Sequence, residues 1–348
     1  MIMSSDSRNI RLSICIATYN RAKYISETLD SIISQVNDDV EILVVDGASN
    51  DNTREIVEGY ERLCPQLRYV RLPVKGGVDE DYAKAVELAS GGYCWLMTDD
   101  DVLKDGAVKK VLNAIDKKYG LIIVNAEVRD IELKTLIEER RLKFNVDRIY
   151  KLADHHQFFV EMLDYLTFIG CVVIKKRLWN ERDKAKYFGS LFIHVGVIFQ
   201  EPIREDVLVI ADPLISIRYA NAQWKAREFE IWMFKWPNLV RSFTSYSDSD
   251  KSKSKAYSRE AWKKLKMLVL YRGTGAYTKK EYDKWIKSRI RFGFKKLCSK
   301  MIAFVPCCLA NLFCVVYLTV LRKDSKLTLV DLKSSSYYLL HCDSRTEV

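Results

Sequence analysis

The run Cys94–Leu103, CWLMTDDDVL, sets three consecutive carboxylates, Asp99, Asp100 and Asp101, directly behind an apolar stretch. Three adjacent anions repel one another, and holding them together costs free energy unless a cation or strong donors neutralise them. Carboxylates at the end of a buried strand suit a hard divalent cation, Mn²⁺ or Mg²⁺. One or two Asp oxygens would hold it while substrate phosphates complete its shell. The bland alternative is that Asp101 caps a helix beginning near Val102 with its neighbours solvated, which accounts for one carboxylate of the three.

Other polar clusters follow apolar runs in the same way. TYN (Thr18, Tyr19, Asn20) comes after LSICIA, and DGASND (Asp46–Asp51) comes after VEILVV. In VKGGVDEDYAK, Gly76 and Gly77 allow positive φ or close approach to a ligand, and Asp79 and Asp81 can meet a sugar or a cationic partner. The dipole of a helix starting there explains the same acids without a ligand.

Later, GSLFIHVGVIFQEPIRED holds His194 inside an apolar run, followed by Glu201, Glu205 and Asp206. A histidine titrates near neutrality and can take a proton from a hydroxyl, while a buried histidine bonded to a neighbour is the competing reading. Arg218, Asn221 and Trp224 form a compact set that can line an acceptor, with Trp224 stacking on a sugar face, although such a Trp is also ordinary packing. His155 and His156 lack the spacing of metal ligands and are expected at the surface.

The elements that must position these groups are short β-rich runs at Leu12–Ala17, Val40–Val45, Leu67–Leu72, Tyr93–Met97 and Leu121–Val128. Between them lie segments with helical spacing: Ile25, Leu29, Ile32 and Ile33; Ala83, Val86, Leu88 and Ala89; Val108, Leu112 and Ile115. Apolar strands separated by helices predict an α/β fold, a mostly parallel sheet covered on both faces, with ligands beyond the carboxyl ends of the strands. A second block, roughly 154–218, adds helix and a further strand, GCVVIK (Gly170–Lys175). SYSDSDKSKSK (Ser245–Lys255) is expected as a solvated loop or linker.

With 348 residues, 48% of them hydrophobic, the chain has room for about two domains and a sizeable core. The nine cysteines include no CxxC pair, so they are expected as reduced, small apolar residues. No export signal is expected from the first twenty residues. The net charge of +10 is concentrated: residues 251–300 hold 17 Lys/Arg against 3 Asp/Glu. That segment runs into MIAFVPCCLANLFCVVYLTVL (Met301–Leu321), 21 residues without a charge, closed by Arg322 and Lys323. Such a run can cross a bilayer, lie in its interface as a bent hairpin, or form a core helix, with Pro306 and Asn311 weakening a span. Flanking basic residues favour the cytoplasmic face and anionic headgroups. Nucleic acid would explain the basic segment but not the apolar run behind it.

SICIATYNRAKYISETLDSII, EILVVDGASNDNT and AVELASGGYCWLMTDDDVL resemble the nucleotide-sugar-binding half of family 2 glycosyltransferases with the GT-A fold. GGVDEDYAKAVELASGGYCWLMTDDDVL, LIIVNAEVRD and RYANAQW look similar to the abequosyltransferase-like enzymes of bacterial O-antigen synthesis. The resemblance implies that Thr18 and Tyr19, with Asn20, flank the nucleotide and that Asp46 lies under the base or ribose. It implies that Asp99 faces the ribose, and that Asp100, with Asp101, binds the metal bridging the diphosphate. It also implies a general base in the second half of the domain, where His194, Glu201, Glu205 and Asp206 stand. Where many relatives read Asp-Asp-Gly-Ser after the second strand, this chain reads Asp46-Gly47-Ala48-Ser49.

Taken together, the sequence predicts a GT-A catalytic domain over 1–218, with a nucleotide-sugar half at 10–128 and an acceptor half at 129–218. A basic helical extension over 219–300, a membrane-associated segment over 301–321 and a tail over 322–348 follow. The expected activity is metal-dependent, inverting transfer of a sugar from a nucleotide-diphosphate donor to a lipid-linked saccharide, at the cytoplasmic face of the inner membrane. The alternatives are a sugar nucleotidyltransferase, which would carry a Gly-rich basic loop where this chain has ATYNRAKY, and a membrane-tethered nucleotide-sugar-binding protein that has lost catalysis.

Overall fold

Val, Ile and Leu crowd most of the first-half runs because both faces of those strands are covered, the exception being the edge run at Leu67, and a computed structural model places them in one sheet. It describes residues 10–254, 257, 261–290, 293–321 and 326–339. The strands are β1 (Leu12–Thr18), β2 (Val40–Asp46), β3 (Leu67–Arg71), β4 (Tyr93–Met97), β5 (Val102–Leu103), β6 (Leu121–Arg129), β7 (Leu136–Glu138), β8 (Arg148–Tyr150), β9 (Val172–Lys175) and β10 (Val207–Arg218). Their order is β3-β2-β1-β4-β9-β6-β10-β5, with β7 beside β6 and β8 beside β10. β3, β2, β1 and β4 are parallel, β9 runs antiparallel between β4 and β6, and β10 is parallel to β6. The carboxyl ends of β1, β2, β3, β4, β6 and β10 therefore share one edge.

The helices supply the covering faces. α1 (Ile25–Ile33) buries Ile25, Leu29 and Ile32, and α2 (Thr53–Leu63) buries Val57. α3 (Val78–Leu88) buries Tyr82, Ala85 and Val86, so its inward face begins a turn earlier than its apolar spacing predicts. α4 (Ala107–Ile115) buries Val108, Val111, Leu112 and Ile115. α5 (His155–Met162), α6 (Lys176–Asn180) and α7 (Ile193–Phe199) complete this part. The eight described cysteines are unpaired, four of them buried in this sheet and its turns.

β10 does not follow from periodicity, because Asp212-Pro213 interrupts it. The interruption is a bulge: register shifts flank Pro213, opposite Asn125. Asn125, fully buried, donates from Nδ2 to the carbonyls of Leu142 and Ala211 at 2.9 and 2.8 Å, and its Oδ1 accepts from Ala126 and Leu142. Those bonds satisfy backbone groups the bulge leaves out of the ladder.

The chain divides into two units. The first runs to Arg218 and includes Phe243–Lys253; the second comprises Tyr219–Ser242 and the chain from Ser254 onward. Nine of the eleven residues of the expected polar linker, 245–253, thus belong to the first unit. Tyr246 stacks on Phe159 at 4.1 Å, and Asp250 pairs with His156 at 2.9 Å. The second unit is helical around Phe229, Leu268, Tyr277 and Ile286.

Among the described residues no single helix is long and apolar enough to cross a membrane. The uncharged run is interrupted at Pro306, between the helices Phe294–Phe304, which begins in the basic segment, and Cys307–Leu321, bent by 103°. Arg322 and Lys323 lie outside the described residues.

Candidate active site at the carboxyl edge of the sheet

Register brings the first polar groups level. Thr18 pairs with Asp46 and Asp46 with Arg71, so three strands end together. Met97 pairs with Ile16, and the chain beyond it carries Thr98–Asp101 along the same edge. Here the three carboxylates part company. Arg21, in the loop after β1, reaches Asp99 with Nε at 3.2 Å and Asp100 with Nη2 at 3.1 Å. Asp101 turns the other way: its Oδ2 accepts from the Thr98 hydroxyl at 2.5 Å and its Oδ1 from the Arg218 N–H at 2.7 Å. It caps no helix, because Val102–Leu103 is a strand and α4 starts only at Ala107.

Burial and mutual repulsion together raise two of the three carboxyl groups. Burial, followed by the neighbouring Asp100 charge, pushes Asp99 up to about 7 against the opposing pull of Arg21. The same two causes raise Asp101 well above the ordinary carboxylate range. One guanidinium shared by two carboxylates leaves an excess of negative charge.

Arg218 is the second fixed cation, and the sequence reading gave it a different task. Its side chain, 2% exposed, donates from Nε to the Asp100 carbonyl and from Nη2 to Glu27, at 2.9 and 2.8 Å. It braces the triplet from the end of β10, and the Tyr24 ring lies 5.0 Å from its guanidinium. Asn221 and Trp224 belong to the second unit, where Trp224 is 43% exposed and packs edge-on to Trp232.

The loops after β1 and β2 are laced together. Asn20, at φ +54°, accepts from the Asn50 N–H, and its own N–H donates to Ser49 Oγ. Asp46 is fully buried and accepts from the Ser49 N–H at 2.7 Å and the Tyr69 hydroxyl at 2.6 Å. Tyr19 lies under the Lys75 ammonium, 3.4 Å from its ring centroid. Thr18 is buried, and its hydroxyl has no hydrogen-bond partner among the described residues.

Gly47, the departure from Asp-Asp-Gly-Ser, has a positive reason. A Cβ there would stand 2.8 Å from Asp81 Oδ2, so the Asp81 carboxyl fills the space a side chain at 47 would take. Asp81 is 4% exposed, and its Oδ1 has no hydrogen-bond partner among the described residues. Burial pushes it up to about 6. Gly77 sits at φ +149° just before α3, and Gly76 packs against Glu80 and Asp81. The two oxygens of Asp79 accept from the Leu191 and Ile193 N–H groups at 2.8 and 3.0 Å, capping α7.

That cap ties the first turn of α7, and with it His194, to the start of α3 at the carboxyl edge. His194 is 1% exposed. Nε2 lies 2.7 Å from the Leu166 carbonyl, an arrangement that makes it the protonated nitrogen, and Nδ1 has no partner among the described residues. Burial holds the imidazole down to about 4.

The carboxylates expected as alternatives to His194 lie elsewhere. Glu205 pairs with Lys175, and the Asp206 carbonyl accepts from Gly120, at the amino ends of β10 and β6. Asp206 and Arg218 bracket a 12-residue strand. At about 3.3 Å per residue that separates them by more than roughly 30 Å, so Asp206 and Glu205 sit on the edge opposite the triplet. Glu201, past the end of α7, is exposed and pairs with Arg182 at 3.1 Å. None of the three joins the aspartates. Arg21 and Glu27, by contrast, were not singled out in the sequence, although Arg21 stands beside the TYN cluster.

A mostly parallel sheet with an aspartate pair at a strand's carboxyl end is the arrangement expected of a nucleotide-sugar transferase. Residues 13–177, just under half of the chain, match the family model for Glycosyl transferase family 2, and the fold is GT-A. Abequosyltransferase RfbV of Salmonella typhimurium is 27% identical over 251 residues, covering 67% of this chain and 75% of RfbV. A putative teichuronic acid biosynthesis glycosyltransferase, TuaG of Bacillus subtilis, is 32% identical over 29% of this chain and 40% of its own length. Among solved structures, S. aureus TarS 1-349 in complex with UDP matches with a TM-score of 0.55 at 15% identity, covering 93% of this chain and 89% of that one. The mannosyltransferase PcManGT of Pyrobaculum calidifontis, in complex with GDP-Man and Mn²⁺, matches with a TM-score of 0.53 at 15% identity, over 94% and 86%.

Proposed function

We propose that this glycosyltransferase moves one sugar, with inversion, from a nucleotide-diphosphate donor to a lipid-linked saccharide at the cytoplasmic face of the membrane, during O-antigen or related surface polysaccharide assembly. The observation that carries the reading is the Asp99–Asp100 pair at the carboxyl edge, oriented by Arg21 and backed by the Asp101–Arg218 brace. The RfbV likeness over two thirds of the chain supports the O-antigen setting.

The aspartates fit a hard cation. Two adjacent carboxylates that share one guanidinium carry negative charge that Mn²⁺ or Mg²⁺ would neutralise. No group of three or more His, Cys, Asp or Glu side chains among the described residues could hold a metal alone, so Asp100, with Asp99 beside it, would share the ion with the donor's phosphates. When bound, such a cation offsets charge on the leaving diphosphate. Thr18, Tyr19 and the loop at Asp46–Ser49 would bind the nucleoside, with Asp81 beside Gly47.

His194 Nδ1 is the candidate proton acceptor for the attacking hydroxyl. It is unprotonated at neutral pH, and its low basicity places its expected contribution near the lower end, about 10²-fold.

The test is thermal stability against a panel of nucleotide-diphosphate sugars, with and without Mn²⁺. A donor at about 100 times its dissociation constant stabilises by about 2.7 kcal/mol. Asp100→Asn should abolish the Mn²⁺-dependent part while the protein alone melts normally. Full activity of Asp100→Asn with Mn²⁺ would remove the metal assignment, and binding without any donor hydrolysis or transfer would favour a non-catalytic binder.

A further inference from the structure

The second unit contains a surface that nucleotide-sugar binding does not use. The helices Phe294–Phe304 and Cys307–Leu321 each have one face against protein and one face uncovered. Ala303, Ala310, Asn311 and Cys314 point inward and are buried. Leu297, Met301 and Phe304 on the first helix, and Leu309, Phe313 and Val316 on the second, point outward and are 53–63% exposed. Twelve large apolar side chains between Phe294 and Leu321 are exposed. Together they present on the order of 1,000 Å², above the few hundred a soluble monomer ordinarily shows in one patch.

Geometry excludes a simple span. Cys307–Leu321 has 15 residues, about 22 Å of helix against a hydrocarbon core of about 30 Å. Its inner face is also fastened to polar protein. Asn311 donates from Nδ2 to the Gly273 and Leu332 carbonyls at 3.0 and 2.9 Å, which explains an amide in so apolar a run. Gly273 lets the helices close up, since a Cβ there would lie 3.2 Å from Asn311 Cα. Arg272 donates to the Val305 carbonyl at the break and fixes the bend.

Charge selects the occupant. Residues 251–300 carry 17 Lys/Arg against 3 Asp/Glu, and Lys264, Lys266, Lys284, Lys295 and Lys300 are exposed. A second copy of the chain would bring like charges together across the patch, whereas an anionic bilayer offers both an apolar interior and opposite charge.

We infer that the bent pair Phe294–Phe304 and Cys307–Leu321 docks flat on an anionic lipid bilayer, sinking its outer face to the headgroup–acyl boundary without crossing. The inference goes beyond the proposed chemistry by fixing how the membrane is met, and lipid binding is read without donor or turnover, so either reading can fail alone.

The full chain should cosediment with phosphatidylglycerol/phosphatidylcholine vesicles and far less with phosphatidylcholine alone, and raised salt should weaken binding. Met301→Glu and Phe313→Glu together sit on exposed positions. They should lower the bound-to-free ratio by about tenfold or more while circular dichroism stays unchanged. In inverted membrane vesicles of an expressing bacterium, a C-terminal tag should be fully digested by added protease, and in spheroplasts it should survive. Indifference to vesicles, binding unaffected by the double substitution, a concentration-dependent dimer in place of lipid binding, or a protected tag in inverted vesicles would each overturn the inference.

Discussion

A buried, neutral His194 has a measurable thermodynamic consequence. Its folded value is about 4 against a reference of 6.5, a depression of about 2.5 units. The unfolded chain therefore takes up this proton first, and the stability that neutral burial contributes is present above 6.5 and lost as pH falls through 4. At about pH 7.5 the linkage is close to zero, at about pH 5.5 it is on the order of 1 kcal/mol, and below about pH 4 it approaches roughly 3 kcal/mol. His194→Gln keeps an N–H for the Leu166 carbonyl but cannot titrate. Other groups titrate alike in both proteins and cancel in the difference. Urea unfolding of both proteins at the two pH values should show the wild type losing on the order of 1 kcal/mol more than the variant. Parallel pH profiles would mean that the ring is not buried neutral, and the argument from burial would fall. The same variant reads the chemistry: turnover should drop by about 10²-fold with donor affinity little changed. A folded variant with near-normal turnover would leave His194 a packing role only.

Asp81→Asn should stabilise the protein near neutral pH. The carboxyl is raised from 3.8 to about 6, so its ionisation weakens the fold as pH rises through that window, and the amide removes the penalty. The full shift corresponds to about 3 kcal/mol, and about 1–2 kcal/mol after allowing for solvent screening at the cleft. An unchanged urea midpoint at about pH 7.5 would show the carboxylate to be solvated. Asp79→Ala removes both acceptors at the start of α7 and should cost about 2–4 kcal/mol, with faster amide exchange at Leu191 and Ile193. Exchange unchanged at those two amides would refute the cap.

The strands flanking the nucleotide side were legible because they are apolar on both faces, and the polar clusters behind β1, β2 and β4 mark where they end. Roles within the clusters were less legible. Three aspartates in a row have identical side chains, and only tertiary partners separate Asp101, held by Thr98 and Arg218, from Asp99 and Asp100, which face Arg21. Gly47 looked like a loss until Asp81, 34 residues on, proved to occupy its space. The second half was harder because β10 hides a Pro in its middle, and without β10 the acids at 201–206 look as close to the aspartates as Arg218 does. Strand direction decides the matter. Once β10 runs parallel to β6, its amino end carries Asp206 away from the site and its carboxyl end delivers Arg218 into it. A sequence shows that a strand has two polar ends, but only pairing tells which end shares an edge with the aspartates, and hence which of two charged residues can act there.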